Sequence, residues 1–170
     1  GSEGQILSFS SQTEDSPEDT VTVSWIFPDG SKKEGNFVQH YFADDGYFLV
    51  SIIAKDEDGG ETYQEITITI ENTAPIFSEF IMPAQAKQLF EVKFSVMAED
   101  AGDDVITYNF DFAGSKVISL NGTAYYTFNQ SGSINIVVCA LDEDEGETCR
   151  TEVISVTAFD FPTAIAGSDM

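Results

Sequence analysis

Ala54-Lys55-Asp56-Glu57-Asp58-Gly59-Gly60-Glu61-Thr62 recurs as Ala140-Leu141-Asp142-Glu143-Asp144-Glu145-Gly146-Glu147-Thr148, identical at seven of nine positions at an offset of 86. A chain of 170 residues that repeats itself in this way is two copies of one module. Each copy has roughly 85 residues, enough to bury a small core of its own. The aromatic fraction of 12% supplies both cores. The repeat also fixes the densest acidic run of each copy at one structural point.

The periodicity around that run is two. Phe48, Val50, Ile52 and Ala54 alternate with Leu49, Ser51, Ile53 and Lys55, and Ile66, Ile68 and Ile70 alternate with Thr67 and Thr69. Ile134, Ile136, Val138 and Ala140 repeat the pattern in the second copy. Such alternation, rich in β-branched residues, predicts half-buried antiparallel strands. No stretch carries an amphipathic helical period. Pro28-Asp29-Gly30, Asp44-Asp45-Gly46, Asp58-Gly59-Gly60 and Asn121-Gly122 punctuate the strands as turns. Asn121-Gly122 suits a two-residue type I′ hairpin. The expected fold is all-β, two tandem β-sandwiches over 3–72 and 73–160, with 161–170 opening a following segment. The junction Glu71-Asn72-Thr73-Ala74-Pro75 is short and lacks glycine, so restricted hinge motion is expected.

Charge narrows the partners. Divided at Thr73, the first half holds 15 acids and three lysines, net −12, and the second 15 acids and four cations, net −11. Phosphate backbones and anionic membrane surfaces would be repelled, so neither nucleic acid nor membrane is an expected partner. No apolar run reaches membrane-spanning length. Multivalent cations suit these clustered acids. The opening Gly1-Ser2, without Met, reads as a cloning scar, and the chain as a piece of a longer protein.

The first copy contains Trp25-Ile26-Phe27-Pro28-Asp29-Gly30, then His40-Tyr41-Phe42, Gly46, the alternating apolar positions, and Asp56-Glu57-Asp58-Gly59. The second has Tyr108-Asn109-Phe110-Asp111-Phe112-Ala113-Gly114, Tyr126-Thr127-Phe128, Gly132 and Asp142, without the Gly-Asp-Gly turn and with Tyr126 for the His. The pattern resembles the PKD domain, an immunoglobulin-like sandwich. The resemblance implies a non-catalytic accessory region of a larger secreted bacterial protein, a metalloprotease foremost, beside the parent's catalytic domain. It also admits a module that binds collagen, chitin or another glycan, and a spacer stalk of a surface adhesin. Tyr47, Tyr63, Tyr125 and Phe159 are the aromatic candidates for ligand contact.

In such a sandwich the acidic hairpin tip and the loop carrying Glu14 and Asp15, or Glu99, Asp100, Asp103 and Asp104, converge at one end. Carboxylates, an amide and backbone carbonyls supply the hard oxygens that calcium takes. The expected calcium site at the junction uses Asn72, Thr73 through its carbonyl, Asp100, Asp142 and Asp144. It is similar to the linker-plus-loop site of collagenase PKD modules. A weaker counterpart in the first copy would use Asp15, Asp56 and Asp58. The alternative is that these acids are solvated turns. The spacing does not match an EF-hand loop.

Cys139 and Cys149 flank the second tip symmetrically, with Ile53 and Tyr63 as their counterparts in the first copy. On adjacent antiparallel strands they could face one another and form a disulfide, which implies an oxidising, extracellular compartment. Trp25, aligned with Tyr108, is expected in the core, as are Phe27, Phe48 and Phe110. His40 is the single histidine and reads as structural, since a zinc protease needs a pair. No nucleophile elbow, P-loop or dinucleotide fingerprint is present, so no catalysis is expected of this segment. Asn121-Gly122-Thr123 and Asn129-Gln130-Ser131 match the glycosylation sequon, but both fall in turns.

Overall fold

A computed structural model describes residues 1–14, 20–160 and 162. Among them lie fourteen strands and no helix, as the period-two alternation requires. They form two compact units. The first takes in Gly1–Ala74 and Asp100–Asp104, and the second Pro75–Glu99 and the chain from Val105 onward.

The first unit contains β1 (Ile6–Ser10), β2 (Thr22–Ile26), β3 (Lys32–Glu34), β4 (Phe37–Tyr41), β5 (Gly46–Lys55) and β6 (Glu61–Ile70). They form a β1-β4 pair and a four-stranded sheet in the order β3-β2-β5-β6. Inward positions supply the core: Phe9 from β1, Val23 and Trp25 from β2, Val38 from β4, Val50 from β5 and Ile70 from β6, with Phe27 and Phe42 just beyond β2 and β4. Trp25 is 1% exposed. Its ring meets Phe9 at 5.8 Å and its indole N–H donates to the Gly35 carbonyl at 2.9 Å, so the polar end of a buried Trp is satisfied. His40 is buried too, stacked on Phe27 at 3.8 Å between ring centres. Residues 1–3 continue this unit. Ser2 bridges Glu71 in parallel, the Glu3 N–H donates to the Glu71 carbonyl and the Glu71 N–H to that of Gly1.

The second unit contains β7 (Ile76–Ile81), β8 (Gln85–Lys87), β9 (Glu91–Glu99), β10 (Thr107–Phe112), β11 (Ser115–Ser119), β12 (Thr123–Thr127), β13 (Gly132–Leu141) and β14 (Glu147–Thr157). Its sheets run β12-β9-β7 and β11-β10-β13-β14-β8, the β14–β8 pairing being parallel. Phe94, Val96, Phe110, Phe112, Phe128, Ile136, Val138, Ala140, Ile154 and Val156 fill the space between them.

Two sequence expectations are corrected here. Asn121-Gly122 does not close a hairpin, because the strands on either side belong to different sheets: β11 pairs with β10 and β12 with β9. The turn carries the chain from one sheet to the other. The two-residue turn with both φ values positive lies instead at Ala113 (52°) and Gly114 (101°), between the paired residues Phe112 and Ser115. Trp25 is not the counterpart of Tyr108. Trp25 pairs with Ile52 and Phe110 with Val138, so Phe110 occupies its place. The second copy has one extra residue between Phe112 and Thr123 relative to the stretch from Phe27 to Phe37. The offset is therefore 85 before that point and 86 after it.

Candidate metal site of the first unit

The two repeated tips are built alike. The Asp56 N–H donates to the Gly60 carbonyl at 3.1 Å, and the Asp142 N–H to that of Gly146 at the same distance. Asp56 Oδ1 accepts from the Gly60 N–H at 2.8 Å. Asp142 Oδ1 accepts from the N–H groups of Asp144 and Gly146 at 3.0 and 2.6 Å. The first acid of each tip thus folds its own turn, which is a local reason for an aspartate there. Lys55 and Glu61 close the base of the first tip at 2.8 Å, a contact that raises the Lys55 pKa and lowers that of Glu61.

A different set of acids gathers in the first unit. Glu3 is 2% exposed. Carboxylate oxygens of Glu3, Asp100 and Asp104 lie within 4.8 Å of one another, and so do those of Glu3, Asp44 and Asp45. Glu3 Oε1 accepts from the Thr73 N–H at 2.7 Å, which places the Thr73 backbone beside the same carboxylate. Asn72 is half-buried with its Oδ1 shielded from solvent. Asp100 Oδ1 accepts from the Gly102 N–H at 3.1 Å. Its Oδ2 is buried with no hydrogen-bond partner among the described residues.

Close backbone approach makes this grouping possible. The Asp103 N–H donates to the Ala43 carbonyl at 3.0 Å. A Cβ on Gly102 would lie 2.9 Å from both that carbonyl oxygen and Glu3 Oε2, and one on Gly4 would lie 2.1 Å from the Ala101 carbonyl oxygen. Only glycine at both positions lets the loop seat against residues 3 and 43. Oxygens of several carboxylates held this close in a half-dry setting repel one another, and a divalent cation relieves both the repulsion and the cost of burial.

Of the residues expected to bind metal, Asn72, Thr73 and Asp100 thus belong to the first unit with this group. Asp142 and Asp144 sit at the β13–β14 tip of the second unit. Asp56 and Asp58 occupy the β5–β6 tip and join no group of three ligating side chains among the described residues. Asp15 lies outside the described residues. Glu3, Asp44, Asp45 and Asp104, whose carboxylates gather here, are not among the residues the sequence singled out for metal binding. Asp44-Asp45-Gly46 carries an ordinary turn signature, and Glu3 adjoins the residues taken as a scar. The signal available was the acid count of the Asp100–Asp104 loop.

The cysteines are joined. Cys139 and Cys149 are directly opposed in the β13–β14 register, form a disulfide, and correspond to the Ile53–Tyr63 pair of β5 and β6. Of the aromatic candidates, Tyr47 and Tyr63 are exposed on β5 and β6 of the first unit, and Tyr125 is exposed on β12 of the second. Phe159 follows β14 in the second unit, with Lys87 Nζ 5.4 Å from its ring centre.

An amphioxus IgVJ-C2 molecule superposes with a TM-score of 0.53 at 11% identity, over 91% of this chain and 98% of that one. Fibronectin(III)-like modules of Clostridium thermocellum CbhA give 0.47 at 16% identity over 97% and 93%. The PKD1 domain of Vibrio anguillarum Epp gives 0.40 at 19% identity over 52% of this chain and 99% of that one. The chain is all-β, with two tandem immunoglobulin-like sandwiches, and its residues 1–70 match the PKD domain family.

Proposed function

We propose that this chain is a non-catalytic, calcium-binding accessory region of a larger secreted bacterial protein. Calcium is held in the first unit by Glu3, Asp44, Asp45, Asp100 and Asp104, with Asn72 and Thr73 alongside. The observation that carries the reading is the buried Glu3 carboxylate within 4.8 Å of oxygens from Asp100 and Asp104. All of these are hard oxygen donors, which suit calcium better than softer metals. By tying residues 1–74 to the 100–104 loop, the ion stabilises the first unit and shields the 71–75 stretch from proteases. The disulfide favours an extracellular location. The assignment of a metalloprotease parent rests on the family resemblance.

The test is a thermal melt of the full chain at fixed ionic strength, in EDTA, calcium or magnesium, followed by fluorescence. The single Trp is Trp25, so the signal reports the first unit. For an affinity typical of extracellular calcium modules, on the order of 10⁻⁴ M, about 1 mM calcium adds about 1.4 kcal/mol. That raises the midpoint by roughly 10 °C for a domain of this size. Asp100→Asn and Asp104→Asn should abolish the rise. No shift, or an equal one with magnesium, refutes the proposal.

A further inference from the structure

The β13–β14 hairpin differs from β5–β6 in what its outward face carries. In the first unit Ile53 stands opposite Tyr63 and Lys55 opposite Glu61, with Ser24 beside Ile53 on β2. In the second unit these places hold Cys139 opposite Cys149 and Leu141 opposite Glu147, with Asn109 beside Cys139 on β10. Lys55 holds the Glu61 carboxylate at 2.8 Å. Glu147 faces Leu141 where that lysine would stand, and it belongs to none of the ion pairs among the described residues.

These exchanges gather donor atoms. Residues paired across strands, and those two apart along one strand, share a face, so Asn109, Cys139, Cys149 and Glu147 stand together. Both sulfurs and a Glu147 carboxylate oxygen lie within 4.8 Å of one another. Asn109 Oδ1 is buried and accepts no hydrogen bond among the described residues. Cys149 and Glu147 are exposed and Cys139 is half-buried, so solutes reach the sulfurs. While these are bonded to each other, neither can be a thiolate. Once the bond is reduced, two thiolates, a carboxylate and an amide oxygen make four donors, and the sulfurs favour zinc-like cations over calcium. Ligands on one tetrahedral zinc sit roughly 3.5–4 Å apart, a spacing that rotation of these side chains can reach.

We propose that the reduced β13–β14 hairpin is a site for a thiophilic divalent cation such as zinc, held by Cys139, Cys149, Glu147 and Asn109. A dithiol reductant opens it. The protein S–S bond breaks, each sulfur gains one electron and one proton, and the dithiol leaves as its own disulfide. The cation then displaces both thiol protons to water, as metal binding to cysteine requires. The Glu147 carboxylate completes charge neutralisation, and the Asn109 carbonyl oxygen gains the partner it lacks. One pair of strands is thus clasped by a covalent bond when oxidised and by an ion when reduced. The first unit, with Ile53 and Tyr63 in these places, has no such alternative.

The probe is cadmium, titrated into the full chain after reduction with a dithiol and desalting under nitrogen, and read by the ultraviolet charge-transfer band of thiolate bound to cadmium. Acids alone give no such band, so the readout is blind to every oxygen-only site. The proposal expects a saturable band at one cadmium per chain, displaced by zinc, and none from the oxidised chain or from Cys139→Ser/Cys149→Ser. Glu147→Gln and Asn109→Ala should each weaken binding by at least about tenfold, since even groups that merely support metal ligands are worth that much. Glu61→Gln, the same change in the first unit, should leave it untouched. Zinc should also raise the melting midpoint of the reduced second unit, seen as the circular dichroism transition without a Trp25 signal. Absence of the band, or full affinity in Glu147→Gln or Asn109→Ala, overturns the proposal; the latter would reduce the pair to an ordinary dithiol.

Discussion

Reducing the Cys139–Cys149 bond, or replacing both residues with serine, should destabilise the second unit alone. The bond closes a loop with a sequence separation of 10. On the chain-entropy account, constraining a loop of that length in the unfolded state contributes about 2.7 kcal/mol at 25 °C. Cavity costs add little, because the bond sits on the outward face of β13 and β14: Cys149 is exposed and Cys139 half-buried. For a domain near this size, that loss lowers the midpoint by roughly 10–20 °C. Far-UV circular dichroism follows both units, while Trp25 fluorescence follows the first, so the transition without a Trp signal belongs to the second unit. The reduced wild type and Cys139→Ser/Cys149→Ser should give the same midpoint, since both remove only the closure. A midpoint for the second unit within about 2 °C of the oxidised protein would refute the reasoning. A fall in the serine variant without one on reduction would assign the effect to packing instead.

The repeat supplies further tests. Glu145 (φ 71°) stands where the first copy has Gly59 (φ 93°). Glu145→Gly should stabilise the second unit by about 0.5–1 kcal/mol, because left-handed backbone costs a residue with a Cβ more than glycine loses in chain entropy; denaturant titration reads this. Trp25→Ala should cost about 3–5 kcal/mol by circular dichroism, whereas Trp25→Phe, copying Phe110, should cost less than half as much. Burial lowers the His40 pKa from its ordinary 6.5, against the opposing charge of Asp29, while Lys33 lowers it slightly further. Between that lowered value and 6.5 the unfolded state binds the extra proton. His40 therefore imposes no such penalty above pH 6.5, and the first unit should lose stability as pH falls below it. A Trp25-monitored melt should show this dependence, and His40→Gln should flatten it.

The features legible in the sequence are those set by neighbours in the chain. Alternation over a strand and an acidic turn at its end fixed the β5–β6 and β13–β14 hairpins. A hairpin's register follows from its turn, so the Cys139–Cys149 pairing and its Ile53–Tyr63 counterpart could be read without coordinates. The inward fate of Trp25, Phe27 and Phe110 followed from the same alternation. Tertiary structure decided what joins distant segments. It matched Trp25 to Phe110, because one extra residue in a loop shifts the alignment without altering either strand's pattern. It sent Asn121-Gly122 across from one sheet to the other, which the turn's own preference does not encode. It placed Glu3 beside residues 100 and 104. Local propensity acts over a few residues. Meetings between segments scores of residues apart depend on packing and on close backbone contacts such as those at Gly4 and Gly102.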